Sequence, residues 1–179
     1  MPEPTEIAPD TKDWTWVLDR PCTECGLSAA DLALGDLPDL LRTTALAYGD
    51  ALRDRAAVRR RPDPGTWSPL EYACHVRDVH RVFAERLTRM LDEDEPTFPN
   101  WDQDAAAVEG RYAEQDPEAV DLELVEAAGT VAGLYARVTP EQSGRTGLRS
   151  NGSRFTVLTL GRYHLHDVVH HLHDLGRRV

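Results

Sequence analysis

Residues 67–75 read Trp67-Ser68-Pro69-Leu70-Glu71-Tyr72-Ala73-Cys74-His75. Ser68 has the side-chain oxygen of a helix N-cap, and Pro69 stands at the first helical position, where its missing N–H is not needed. Glu71 is placed to reach back and close a capping box. The helix opened here is expected to run to about Leu91, with His75, Val79, Val82, Phe83, Leu87 and Met90 on or near one side. A helix with one apolar side has to be covered, and the rest of the sequence supplies the covers.

Before it, Leu37, Leu40, Leu41, Ala45, Leu46, Leu52 and Val58 recur at helical spacing and predict a helix from Leu37 to Arg60. Its end carries Arg53, Arg55, Arg59, Arg60 and Arg61, which suit the negative end of a helix dipole or could form an anion site. After it, Asp92 to about Asp104 reads as an acidic loop with Pro96, Pro99 and Trp101, and a short helix is expected over Ala105–Glu114. Asp116-Pro117 repeats the cap-plus-proline start, and Val120–Val138 follows as a third long helix. Thr139-Pro140-Glu141-Gln142 caps a brief helical turn. Arg145–Phe155, with Asn151-Gly152, is a loop or small hairpin. A last helix begins near Thr156 and ends at Gly176. Ser28 and Asp31 have capping-box spacing, while the first 21 residues, rich in Pro, Asp, Glu and Thr, read as an arm in which Trp14 and Trp16 dock. The expectation is one all-α domain over residues 1–179: an N-terminal arm with a CxxC motif (1–36), then a four-helix bundle (37–175).

Composition narrows the function classes. The chain has 179 residues and a net charge of −11, which argues against a surface built to coat nucleic acid. No apolar run approaches a membrane span, and the start lacks the basic and apolar regions of an export signal. Three cysteines, an odd number, fit a reducing cytoplasm. The expected partner is a small molecule, and a homodimer is compatible with the pattern.

The seven histidines are unevenly spread: His164, His166, His170, His171 and His173 fall within ten residues, with His75 and His80 as a second pair. At 100° per residue, His170 and His173 lie within about 40° of His166 around the helix, whereas His164 and His171 lie roughly 140–160° away. Imidazoles one turn apart can aim at a single ion. Asp167 follows His166, so the zinc-protease H-E-x-x-H pattern is not met. A catalytic metal site takes three protein ligands and keeps a position open, and His75 is the best third ligand for His166 and His170. Asp78 could hold the second ring nitrogen of a ligand, and Tyr163 and Trp101 could line a pocket. Cys22-x-x-Cys25-Gly26 is half a zinc knuckle. It admits three readings: buried free thiols, a second metal site borrowing His80, His164 or His171, or a redox pair.

Trp67-Ser68-Pro69, then His75-x-x-Asp78, then His166-x-x-x-His170 in the final helix resembles the DinB/YfiT superfamily of metal-binding four-helix bundles over about residues 37–175. The resemblance implies a divalent ion, often zinc or nickel, held by His75, His166 and His170, with His173 in reserve. It also implies relatives that act as metal-dependent thiol transferases or isomerases using mycothiol, bacillithiol or glutathione, among them maleylpyruvate isomerase. On that model the ion binds a thiol and deprotonates it. Arg149, Arg154 or the arginines ending helix one would hold the thiol's carboxylates. Lys12 is the one lysine among 20 basic residues, a high-GC signature that favours mycothiol. Two other readings use the same site. Metal-activated hydrolysis would need Asp167 or Asp78 as base, and a non-catalytic, stress-related binding bundle would show a continuous apolar face beyond what the core buries.

Overall fold

The computed structural model describes residues 12–179; the first 11 residues of the expected arm lie outside the described residues. Four long helices make the body: α1 (Leu37–Leu52), α2 (Pro69–Asp92), α4 (Pro117–Tyr135) and α5 (Val157–Asp174), with a short α3 (Gln103–Glu109) between the second and third of them. α4 packs between α1 and α2, and α5 packs against the same two helices from the other side. α1 and α2, consecutive in sequence, therefore sit diagonally. Leu41, Tyr48, Leu70, Val76, Leu87, Met90, Leu124, Val131, Leu165 and Leu172 are buried between the helices.

α2 starts as the sequence predicts. The Glu71 N–H donates to Ser68 Oγ (3.3 Å) and the Ser68 N–H donates to Glu71 Oε2 (2.9 Å). Glu71 is buried, and Arg61 donates from Nε to both its oxygens at 3.0 and 3.2 Å. Burial alone would raise the Glu71 carboxyl, but Arg61 and the Ser68 donors hold it below its ordinary value.

Helix one ends at Leu52 rather than Arg60. The Asp54 side chain accepts from the N–H groups of Ala56 and Ala57, and the Val58 N–H donates to the Asp54 carbonyl. A short acidic side chain thus offers the backbone an alternative to helix. The basic stretch is consequently not a helix end. Arg59 donates to the carbonyls of Ala113 and Gln115, and Arg55 pairs with Glu118.

The acidic loop and the glycine-rich segment are joined by a small three-stranded sheet. β1 (Thr97–Phe98) pairs in parallel with β2 (Thr146–Arg149), which pairs antiparallel with β3 (Arg154–Thr156). The Asn151-Gly152 turn closes the hairpin, with Gly152 at φ +94°. Nine paired residues on two connections leave the class all-α. The sheet still matters, because it anchors the segment carrying Trp101: the Ser150 N–H donates to the Phe98 carbonyl and the Asn100 N–H donates to Ser150 Oγ. The expected helix over 105–114 is split into α3, capped by Asp102, and a single turn at Tyr112–Glu114, with Arg111 left-handed between them.

The described part of the arm packs more closely than its composition suggests. Thr15–Leu18 forms one helical turn whose Val17 is fully buried, and it contacts α5. α5 itself approaches α1 and α4 at Gly161, where a Cβ would stand 2.3 Å from Leu37 Cδ1 and 3.0 Å from the Tyr135 ring.

Two outcomes follow. Gly161→Val forces α5 off its neighbours and should lower the melting temperature by roughly 4–10 °C, the effect of about 2–3 kcal/mol of overpacking. Glu71→Gln should cost about 2 kcal/mol at neutral pH, read as a Tm lower by roughly 4–8 °C. Because the folded-state pKa of Glu71 is depressed, the stabilisation is complete above the ordinary glutamate value of about 4.3. It is lost as pH falls through the lower folded value. The wild-type and Gln variant melting curves should converge on acidification; a gap that stays constant would contradict the ion pair.

Candidate metal centre

α5 presents two doublets one residue out of phase: His166 and His170, and Asp167 and His171. Each doublet spans one turn, so each aligns two donors on one face. The buried apolar positions of α5, Val157, Leu160, Leu165, Val168 and Leu172, point roughly 160° away from His166 at 100° per residue. The Asp167/His171 edge is therefore the one nearer the bundle interior, and the His166/His170 edge turns toward the N-terminal segment.

The structure accordingly divides the expected ligand set. His75 meets Asp167 and His171, with one donor atom from each within 4.8 Å of the others. His166 and His170 gather instead with Cys22 and Cys25 under the same limit. His173 belongs to neither group among the described residues.

In the first group His75 is fully buried, and neither ring nitrogen has a hydrogen-bond partner. Its Nε2 lies 3.5 Å from Asp167 Oδ1, an oxygen that is also buried without a hydrogen bond, and His171 Nε2 lies 3.6 Å from that same oxygen. Leaving such atoms unsatisfied costs about 1–3 kcal/mol each. A divalent ion among them would use all three donors, so the residues fit one. The protonation states also suit it, since ligands must be neutral imidazole and carboxylate. Burial holds the His75 imidazole below its ordinary pKa against the pull of Asp167. Burial would raise the Asp167 carboxyl, but His75 and the surrounding imidazoles keep it well below the usual carboxylate range.

Around this group the support is specific. Trp101 stacks on the His75 ring at 5.5 Å, and Trp67 flanks it at 5.2 Å. His171 Nδ1 is 3.1 Å from Asp174 Oδ2, which aims Nε2 at Asp167, and the Tyr72 hydroxyl donates to the same Asp174 oxygen at 3.4 Å. A carboxylate behind a histidine in this way fixes the tautomer of a metal ligand. Asp78 does not take that role for His75: it pairs with Arg77 and Arg81 and accepts from the Tyr112 hydroxyl at 2.7 Å.

Asp167 and His171 open onto a cleft of about 710 Å³, walled by Trp14, Trp67, Trp101, Tyr163, Arg149 and Asn151 among others. The expected pocket roles of Trp101 and Tyr163 thus coincide with their positions. Arg154 is drawn away by Glu95. His80 and His164 turn to each other in the core, with His80 Nδ1 and His164 Nε2 3.0 Å apart, and burial lowers both pKa values, that of His80 to about 4. They pack rather than ligate. Cys74, buried on α2, donates weakly to the Tyr112 carbonyl, away from Cys22 and Cys25.

A four-helix bundle with a His/carboxylate cluster that could hold a metal ion, opening onto a cleft, has the architecture of the class the sequence resembles. The DinB superfamily model matches residues 39–175, and the chain belongs to the DinB superfamily. Among solved structures it is similar to YfiT from Bacillus subtilis, described as a probable metal-dependent hydrolase with an unusual four-helix bundle topology. The TM-score is 0.71, with 20% identity, covering 80% of this chain and 84% of that one. That likeness is one of fold. A search of curated proteins found no match.

The histidine spacing singles out His166 and His170 and passes over Asp167 and His171, which form a second i, i+4 pair. The direction of the apolar stripe on α5 was the signal that favours this pair over His166 and His170.

Proposed function

We propose that this protein is a metal-dependent enzyme acting on a small molecule in the cleft, with His75, Asp167 and His171 as the ligands and thiol activation as its chemistry. The observation that carries the reading is the convergence of His75 Nε2 and Asp167 Oδ1, both buried and without hydrogen bonds, beside His171 Nε2 at the cleft wall. Two histidines and one carboxylate suit zinc, and imidazole also suits nickel. A bound ion would supply Lewis acidity, which ionises a coordinating thiol or acidifies water.

The chain's own residues prepare the rest. Trp101 and Trp67 pack around His75 and keep bulk water from it. Asp174 orients His171. Arg149, held over Phe155 and Tyr163 and bonded to Asn151 and Ser153, offers the cleft a fixed cation for the carboxylates of mycothiol, bacillithiol or glutathione. Thiol transfer by this route needs no separate base. Hydrolysis is the second reading, favoured by the two-histidine, one-carboxylate donor set, which zinc hydrolases also use. Of the two bases expected for it, Asp167 is a ligand in this assignment and Asp78 is engaged by Arg77 and Arg81, so neither is free to act as one.

Chelator-stripped protein reloaded with zinc or nickel should conjugate one of these thiols to chlorodinitrobenzene or monochlorobimane. Both His75→Ala and His171→Ala should lower that rate at least about 100-fold, the scale expected when an electrostatic stabiliser is removed. Metal-dependent hydrolysis with no thiol dependence would move the assignment to the second reading. Full activity in the stripped protein would overturn both.

A further inference from the structure

We propose that Cys22, Cys25, His166 and His170 form a second, structural zinc site that pins the N-terminal segment to α5. It is separate from the site proposed above and does not depend on it.

The four donors lie within 4.8 Å of one another, and Cys22, His166 and His170 are buried. Zinc takes Cys2His2 ligands in a closed tetrahedron with Zn–S of about 2.3 Å and Zn–N of about 2.0–2.1 Å, which makes a sulfur-to-nitrogen edge about 3.6 Å. Cys22 Sγ and His170 Nδ1 are 3.7 Å apart. That separation is within reach of a sulfur hydrogen bond, and it also matches the tetrahedral edge. His166 Nε2 is buried with no partner, as expected of a nitrogen whose partner is an ion. The other ring nitrogen of His170 faces Glu24 Oε2 at 3.5 Å, the carboxylate-backed arrangement that orients ligating histidines.

The cysteine loop has the shape the site requires. The Gly26 N–H donates to the Cys22 carbonyl and the Cys22 N–H donates to the Leu27 carbonyl, both at 2.9 Å, while Gly26 takes φ +78°, a conformation that favours glycine. This tight knuckle turns both sulfurs toward α5. Both thiols are free.

With four protein ligands the site has no open position, which marks it as structural. Cys22 and His170 are 148 positions apart, so the ion would close a long loop. It would also fix a wall of the cleft, because the Trp14 ring packs on His166 and His170 at 5.6 and 4.8 Å and lines the cavity. The histidines sought for the cysteine pair are thus His166 and His170, not His80, His164 or His171.

The test uses the full-length protein purified with zinc in the growth medium, with metal measured by mass spectrometry. His75→Ala/His171→Ala should keep one zinc per chain, and Cys22→Ser/Cys25→Ser should lose one relative to wild type. Cobalt substitution of the wild-type protein guards against a variant that fails to fold. It should give sulfur-to-cobalt charge transfer in the near ultraviolet with the intense visible bands of tetrahedral cobalt. The proposal is overturned if the Cys variant retains the full wild-type zinc. It is equally overturned if cobalt protein shows no sulfur charge transfer, or if the freshly purified chain carries a Cys22–Cys25 disulfide. Failure of the catalytic reading would instead appear as loss of activity dependence on His75 and His171, with the charge-transfer band untouched.

Discussion

His75 sits at zero exposure with both ring nitrogens lacking hydrogen bonds, against a buried carboxylate oxygen in the same condition. A fold that brings such groups together bears a desolvation penalty that aliphatic side chains at the same positions would avoid. The rest of the structure is arranged to hold them there. The Ser68–Glu71 box, clamped by Arg61, fixes the start of α2 nearly two turns before His75. Gly161 lets α5 settle against α1 and α4, so that Asp167 and His171 arrive at the right depth. The small sheet returns the chain from α2 so that Trp101 can stack on the imidazole.

The helices were readable because their punctuation is local. Ser68-Pro69, Asp116-Pro117 and Thr156 all cap helices as their residue types require. Where the structure departs from the local pattern, a side chain's choice of partner decides the outcome. Asp54 turned its carboxylate on its own backbone and ended α1 early. The Asn151-Gly152 hairpin found a parallel partner in Thr97–Phe98, a pairing between segments some fifty residues apart that no local pattern encodes.

The candidate site was half legible for the same reason. His75 follows from the capped start of α2, and His166 and His170 stand out as an i, i+4 pair. Which side of α5 faces α2 is a matter of packing, and there the apolar positions outweigh the histidine count: they turn Asp167 and His171 toward His75 and leave His166 and His170 to the N-terminal segment. The run His166-Asp167 and His170-His171 thus serves two neighbours from one helix. The change also alters the charge at the centre, since a carboxylate among the ligands leaves a divalent ion with one net positive charge rather than two. The lower charge would weaken the pull on an anionic group as well as the Lewis acidity.

Anomalous diffraction at the absorption edge of the bound metal, on crystals grown with zinc or nickel, tests the central assignment most directly. The account predicts a peak bonded to His75 Nε2, Asp167 Oδ1 and His171 Nε2 at about 2.0–2.2 Å, open toward the cleft. A peak bonded jointly by His75, His166 and His170, or no peak beside His75 in metal-loaded crystals, would contradict it.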